Sequence, residues 1–235
     1  MKAAEIIAEL KPLGKESYKK VIQKHGVGEA CFGVSVADLK KIQKRVKQDH
    51  ALALELFDTG IYDAMYLAGL ICDDQQLSPK DLNKWLKNSK HEPIRSSIVP
   101  WVAAESNHGW EVALEWIEAN DEATSSAGWA TLSSLVAIKA DEELDLVQLK
   151  KLVERIGKTI KKLPGDTQYK MNSFLIAAGS YVAPLSELAI TVANQIGTIE
   201  VDMGDTECKI PNAAEYIEKV RKRGSIGKKR ATAKC

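Results

Sequence analysis

Between Arg95 and Leu135 the chain reads RSSIVPWVAAESNHGWEVALEWIEANDEATSSAGWATLSSL, and apolar residues recur through it at helical spacing. Ile94, Ile98, Trp101 and Val102 make one stripe, Trp110, Ala113, Leu114 and Ile117 a second, and Trp129, Leu132, Leu135 and Val136 a third. A period near 3.6 specifies helices; a period of 2 would specify strands. Ser106, Asn107, His108 and Gly109 separate the first two stripes, and Asn120 with Asp121 separates the last two. Such residues cap helices and turn the chain within a few positions, so three successive antiparallel helices are expected.

The same pattern extends in both directions. Ala3 to Leu10 and Ser17 to Lys24 predict two short helices around Pro12 and Gly14. Ser35, followed three residues later by Asp38, has the form of a capping box ahead of the stripe Val36, Leu39, Ile42 and Val46. Leu52 to Phe57 and Ile61 to Ile71 are divided by Thr59 and Gly60, a pair suited to a helix stop. Ser78 with Pro79 opens a helix carrying Leu82, Trp85 and Leu86, because proline at the first helical position forfeits no hydrogen bond. Leu146, Leu149, Val153, Ile156, Ile160 and Leu163 form the longest regular stripe, stopped by Pro164 and Gly165. Helices over Thr167 to Ala178, Pro184 to Gln195 and Pro211 to Arg223 complete the set, the last with Tyr216 and Val220 inward. Periodicity lapses only where Ile199, Val201 and Met203 alternate, which predicts a short extended piece and a turn at Gly204 and Asp205.

About a dozen helices grouped in pairs of roughly 35 to 45 residues are the pattern of a helical-repeat array. The expected fold is therefore all-α, a curved superhelix (α-solenoid) of HEAT-like antiparallel helix pairs. It would occupy 1–223 as a single domain, followed by a flexible basic tail over 224–235. A stacked array presents one concave face, and such faces bind extended partners.

A chain that is 45% hydrophobic and 28% charged has the make-up of an ordinary globular protein. It has no apolar run of about 20 residues to span a bilayer, and Lys2, Glu5 and Glu9 interrupt the place of a signal peptide's apolar stretch. A cytoplasmic monomer without a membrane partner is expected. Cys31, Cys72, Cys208 and Cys235 lie far apart without ligand spacing, which predicts free thiols and no metal site. His25, His50, His91 and His108 are scattered with no nucleophile at a useful spacing, so a catalytic triad is not expected. Gly224 to Gly227 before Lys228 and Lys229 lacks the spacing of a phosphate loop, and no cofactor is implied. Most of the tryptophans, Trp85, Trp101, Trp110, Trp116 and Trp129, are expected between helices.

Net charge is +1, but it is unevenly placed: Met1 to Lys47 carries +6 and Lys219 to Cys235 carries +8, leaving −13 for Gln48 to Glu218. Basic clusters attract polyanions by releasing their condensed counterions, with no base contact required. Opposite the stripe that begins at Val36 lie Lys40, Lys41, Lys44, Arg45 and Lys47, and the other end offers Lys228, Lys229 and Arg230. These residues are the sequence's DNA-binding set, with the bland reading of a solvated face and tail beside it.

The stretch CFGVSVADLKKI resembles one near the start of the DNA alkylation repair glycosylases of the AlkD type. SSIVP at Ser96, EWIEANDE at Trp116 and SAGWATLSSL at Trp129 resemble successive helices of that family, and the likeness runs from about Ala30 to Gln195. The segment MGDTECKIPNAAEYIEKV and the basic tail depart from it. The resemblance implies HEAT-like repeats whose basic concave face holds duplex DNA. It also implies cleavage of the N-glycosidic bond of alkylated purines at an aspartate flanked by aromatic residues and an arginine.

On this resemblance the aspartate's place falls to Ser96, the preceding tryptophan's to Glu92, the groove arginine's near Ser126 and the later tryptophan's near Phe174. A serine does not offset the positive charge that develops on a sugar as the base departs, whereas a carboxylate does. One substitute pair is available: Trp101 and Glu105 are one turn apart and share a helix face. Two functions are thus expected from the sequence. One is a DNA-binding repair protein that either excises alkylated purines, with Trp101 and Glu105, or only recognises distorted duplex; the other is an inactive helical scaffold for a protein partner.

Overall fold

The computed structural model describes residues 1–202 and 209–234. All regular structure among them is helical, and the chain forms two compact units. The first covers Met1–His108 together with Lys234; the second is built from the described residues between Gly109 and Ala233. Where a single repeat domain was expected, the boundary falls at His108 and Gly109, inside the link that opens the second of the three central helices.

The first unit contains α1 (Ala3–Leu13), α2 (Glu16–Gln23), α3 (Val36–Val46), α4 (His50–Asp58), α5 (Tyr62–Ile71), α6 (Pro79–Asn88) and α7 (Val99–Glu105). Its centre is α5, buried along its whole length, with α1, α3, α4 and α7 against it. The stops and starts act as their residue types dictate. Thr59 caps α4, Gly60 follows at φ +68°, and Ser78 accepts the Asp81 N–H at 3.3 Å while the Asp81 carboxylate accepts the Ser78 N–H at 3.0 Å. Pro12 lies inside α1, one residue before its end, rather than between two helices.

Immediately before α7, Ile94–Ile98 forms a π-helical turn. Gly69 of α5 lies against it: a Cβ there would stand 2.2 Å from Ile98 Cγ2, so only glycine permits the approach. His91 fixes the chain just upstream. Its Nδ1 accepts the Gly28 N–H at 3.0 Å and its Nε2 lies 3.0 Å from the Gly60 carbonyl, so one imidazole ties two distant turns.

The second unit contains α8 (Gly109–Trp116), α9 (Glu122–Ile138), α10 (Leu146–Thr159), α11 (Gly165–Tyr181), α12 (Ser186–Ile196) and α13 (Ala213–Lys222). Helix α9 packs on both α8 and α11, and α13 packs on α11 and α12. The α8–α9 packing is close because Gly128 lacks a side chain; a Cβ there would meet the Ile117 backbone nitrogen at 2.6 Å. Helices α9 and α11, of 17 residues each, exceed α10, whose clean stripe had singled it out in the sequence. The stripe of α10 is narrow because one face is solvated; α9 is buried on two sides and shows no single stripe.

Two expectations about individual residues are corrected, and the one for the tryptophans holds for three of the five. Tyr216 points outward at 48% exposure, and Ile217, one position on, fills the core instead. Only Trp85, Trp116 and Trp129 are fully enclosed; Trp101 and Trp110 are half-buried. Ile199 and Val201 form no strand, and the rest of that expected extended piece and turn, Met203 to Asp205, lies outside the described residues. Cys31 and Cys72 are buried free thiols, whereas Cys208 and Cys235 lie outside the described residues. Among the described residues no single helix is long and apolar enough to cross a membrane.

The segment after α13, expected as a flexible tail, is tied down within the second unit. The Gly227 N–H donates to the Ser180 carbonyl at 2.9 Å and the Arg230 N–H to the Ala137 carbonyl at 2.7 Å. Lys229 Nζ donates to the Val136 carbonyl at 2.9 Å and lies 2.8 Å from the Asp141 carboxylate. Backbone groups at the ends of α9 and α11 thus find partners in this segment.

Candidate nucleic-acid interface

Helix α3 is positioned by its apolar face and its cap. Leu39 and Ile42 are buried against α5, each contributing about 2 kcal/mol by leaving water. The Ser35 hydroxyl accepts the Asp38 N–H at 3.2 Å and donates to the Asp38 carboxylate at 2.7 Å. The adjacent Lys41 ammonium and that bond hold the Asp38 carboxyl below its usual range. What remains outside is the basic face, but its members differ. Lys41 is paired with Asp38 at 2.7 Å and Arg45 with Glu9 of α1, while Lys40 is half-buried. Lys44 and Lys47 are exposed and carry no ion pair among the described residues.

Lys47 is also the non-glycine residue with positive φ among the described residues, at φ 63° and ψ −140°. That region is natural only for glycine, so the lysine is held there at a cost of about 1 to 3 kcal/mol. Its N–H completes the last turn by donating to the Gln43 carbonyl at 2.7 Å.

Lys44 and Lys47 edge a cleft of about 390 Å³ whose other walls include Cys72, Asp74 and Lys234. Inside it Lys234 Nζ lies 2.6 Å from the Asp74 carboxylate and 3.7 Å from Cys72 Sγ. Burial raises the Asp74 carboxyl, and the Lys234 ammonium works against that rise. Burial likewise drives the Cys72 thiol far above its ordinary value, so it stays protonated and chemically quiet.

The expected catalytic pair lies in the first unit, and the family positions expected to be substituted are divided between the two. Glu92 and Ser96 flank or sit in the π-helical turn and are half-buried. Trp101 and Glu105 lie one turn apart on α7, as expected; Trp101 meets Tyr66 edge to face with ring centroids 6.2 Å apart. The Glu105 carbonyl accepts from Gln75 Nε2 at 2.6 Å, and its carboxylate raises the Asp74 carboxyl further.

In the second unit Ser126 is buried in α9 with its hydroxyl 3.3 Å from that of Thr167, and Phe174 is fully buried in α11 beside Trp129, centroids 5.4 Å apart. Arg155, ion-paired with Glu118, lies over the outer face of that indole at 5.8 Å. Neither Ser126 nor Phe174 presents a side chain to a ligand.

Of the basic residues near the other end, Lys228 and Arg230 are exposed, whereas Lys229 is turned inward onto Val136 and Asp141. Arg223 and Tyr216 join Lys228 and Arg230 around a second cavity, of about 420 Å³. The sequence marked Arg223 only as part of a basic run and assigned Tyr216 to the core.

A helical chain with a lysine face and a serine at the centre of its π-helical turn can be placed among known proteins. Residues 6–217 match the family model described as DNA alkylation repair enzyme, and the chain belongs to that family. Lin0241 of Listeria innocua is 30% identical over 226 residues, 93% of this chain and 97% of its own, and Lmo0209 of Listeria monocytogenes is 29% identical over the same shares. Among solved structures, one superposes with a TM-score of 0.93 and 34% identity over the whole of both chains. It is described as a new family of proteins related to the HEAT-like repeat DNA glycosylases with affinity for branched DNA structures. The fold is thus HEAT-like, as the helix-pair pattern predicted.

Proposed function

We propose that this protein binds branched or otherwise distorted DNA through phosphate contacts made by Lys44, Lys47 and the exposed residues around them, and does not excise alkylated purines. The observation that carries the reading is the unpaired state of Lys44 and Lys47 among the described residues, at the rim of a cleft, with Lys47 held in a backbone conformation that glycine would adopt without cost. Strain retained at an exposed cation is a mark of use rather than of packing. The affinity described for the solved relative supports branched DNA as the ligand.

Base excision by the family's route lacks its parts. Ser96 supplies no carboxylate, and Ser126 and Phe174 are enclosed. Trp101 and Glu105 remain as a substitute pair, but the indole is engaged edge-on with Tyr66 rather than presented as a stacking face.

The test is a salt titration of binding to a four-way junction and to linear duplex of the same sequence. The junction is expected to bind more tightly, with log K falling linearly in log salt. Absence of junction binding at low salt overturns the proposal. In parallel, duplex carrying methylated purines is incubated with the protein; abasic sites above the spontaneous rate would restore excision and the pair Trp101 and Glu105.

A further inference from the structure

The cavity of about 420 Å³ in the second unit is enclosed by α9, α11, α13 and the segment that follows α13. No aspartate or glutamate lines it, although the chain as a whole has nearly as many acids as bases. Arg223, Lys228 and Arg230 stand around its rim, all exposed and without an ion pair among the described residues. Three uncompensated cations around one concavity make a site for an anion of more than unit charge.

The hydroxyls of the cavity narrow the ligand. Ser133 and Ser173 donate their protons to the Trp129 and Tyr169 carbonyls, at 2.8 and 2.9 Å, and so offer only lone pairs inward. Ser180 differs: its residue is 3% exposed and its buried hydroxyl has no hydrogen-bond partner among the described residues. An orphaned hydroxyl among apolar and cationic neighbours is a cost of folding unless a ligand oxygen takes its proton. The lining is also partly apolar, from Ile176, Val220 and the half-exposed Tyr216. A doubly charged head against cations and a planar body against a tyrosine ring together describe a nucleotide.

We propose that this cavity receives one unpaired, phosphate-bearing nucleotide, with the phosphate held by Arg223, Lys228, Arg230 and the Ser180 hydroxyl and the base or sugar against Tyr216. The proposal rests on the DNA-binding reading for one source of that nucleotide, the unpaired residue at a branch, whose two flanking phosphodiesters carry one charge each; the other source is a free nucleotide, whose phosphomonoester carries both.

The experiment is calorimetric titration of the full chain with thymidine monophosphate and with thymidine, alongside junction binding on the same preparations. Thymidine monophosphate is expected to bind and thymidine to bind at least about tenfold more weakly, the loss of a charge-assisted contact. The variant Arg223→Ala/Arg230→Ala, both exposed positions, is expected to lose about tenfold or more for the nucleotide. Lys44→Ala/Lys47→Ala is expected to bind it as the unaltered protein does. Ser180→Ala is expected to weaken nucleotide binding while holding or raising the unfolding midpoint, since it removes an orphaned donor.

Equal binding of nucleotide and nucleoside, no binding of either, or an unaffected arginine variant overturns the pocket. Junction binding without nucleotide binding overturns the pocket alone. Nucleotide binding without junction binding overturns the DNA reading alone and assigns the pocket to free nucleotides.

Discussion

The hydroxyls of Ser126 and Thr167 face each other at 3.3 Å in the packed interior between α9 and α11. By the resemblance to the family a groove arginine's place is expected near Ser126, and Ser126 itself is core. An arginine at 126 would put an unpaired guanidinium where both neighbouring helices are buried. Ser126→Arg is expected to destabilise the protein by roughly 3 kcal/mol or more, with Ser126→Ala costing about 1 kcal/mol, both read from urea unfolding midpoints. A tolerated arginine would mean that the α9–α11 contact is open to solvent.

Lys47 joins two effects that a single substitution separates. Lys47→Gly relieves the backbone and is expected to raise stability by about 1 kcal/mol, the relief of φ strain less the entropy glycine adds to the unfolded chain. The same change is expected to weaken junction binding and to lower the slope of log K against log salt by about 0.9, one phosphate contact. An unchanged slope would remove Lys47 from the interface.

Asp63 accepts the N–H groups of Phe32 at 2.6 Å and Val34 at 2.7 Å, with the whole residue shut off from water. These bonds shape the turn that leads into α3 and thus set where its lysines stand. An asparagine in its place would present one oxygen and one NH₂ group to two donors. Asp63→Asn is expected to cost about 3 kcal/mol, two charge-assisted bonds weakened and one donor left facing another. Thermal unfolding checks it; a loss below about 1 kcal/mol would show that the turn holds without the carboxylate.

Acid should loosen the start of α6. Bonds from the Ser78 hydroxyl and backbone hold the Asp81 carboxyl below its ordinary 3.8, so its stabilising effect is present above that pH and is lost as pH falls through the lower folded value. Ser78→Ala is expected to cost about 1 kcal/mol at neutral pH. It should also flatten the decline of stability below the ordinary aspartate range, although Asp81 is largely solvated and its share of that decline is small. An unfolding series against pH for both proteins reads the difference; parallel curves would disprove the coupling.

Much of the helix order was legible because capping and stop residues act locally. Ser35, Asp121, Ser78 with Pro79, and Thr59 with Gly60 each mark a helix end where the chain places one. The π-helical turn at Ile94–Ile98 was not legible, since its spacing satisfies a 3.6 period and only the approach of Gly69 reveals it. The division at His108 was hidden for the same reason: a short link looks alike within a unit and between two.

Site residues were legible in kind and not in state. Charge placement singled out α3, but which of its cations are free depends on Asp38 and Glu9, the latter far away in the chain. The cavity beside α11 escaped notice because its parts come from three separate stretches and because Tyr216, by period, belonged inside.

Arg230 offers trypsin an exposed side chain on a strand of backbone whose amide is pinned to Ala137, next to a lysine anchored on Asp141. A protease needs the chain lifted into its cleft, so cutting at this point must wait for local detachment. The speed of clipping there therefore serves as a clock for how often the edge of the second unit comes loose, and any occupant that bridges Arg230 to α11 would slow it.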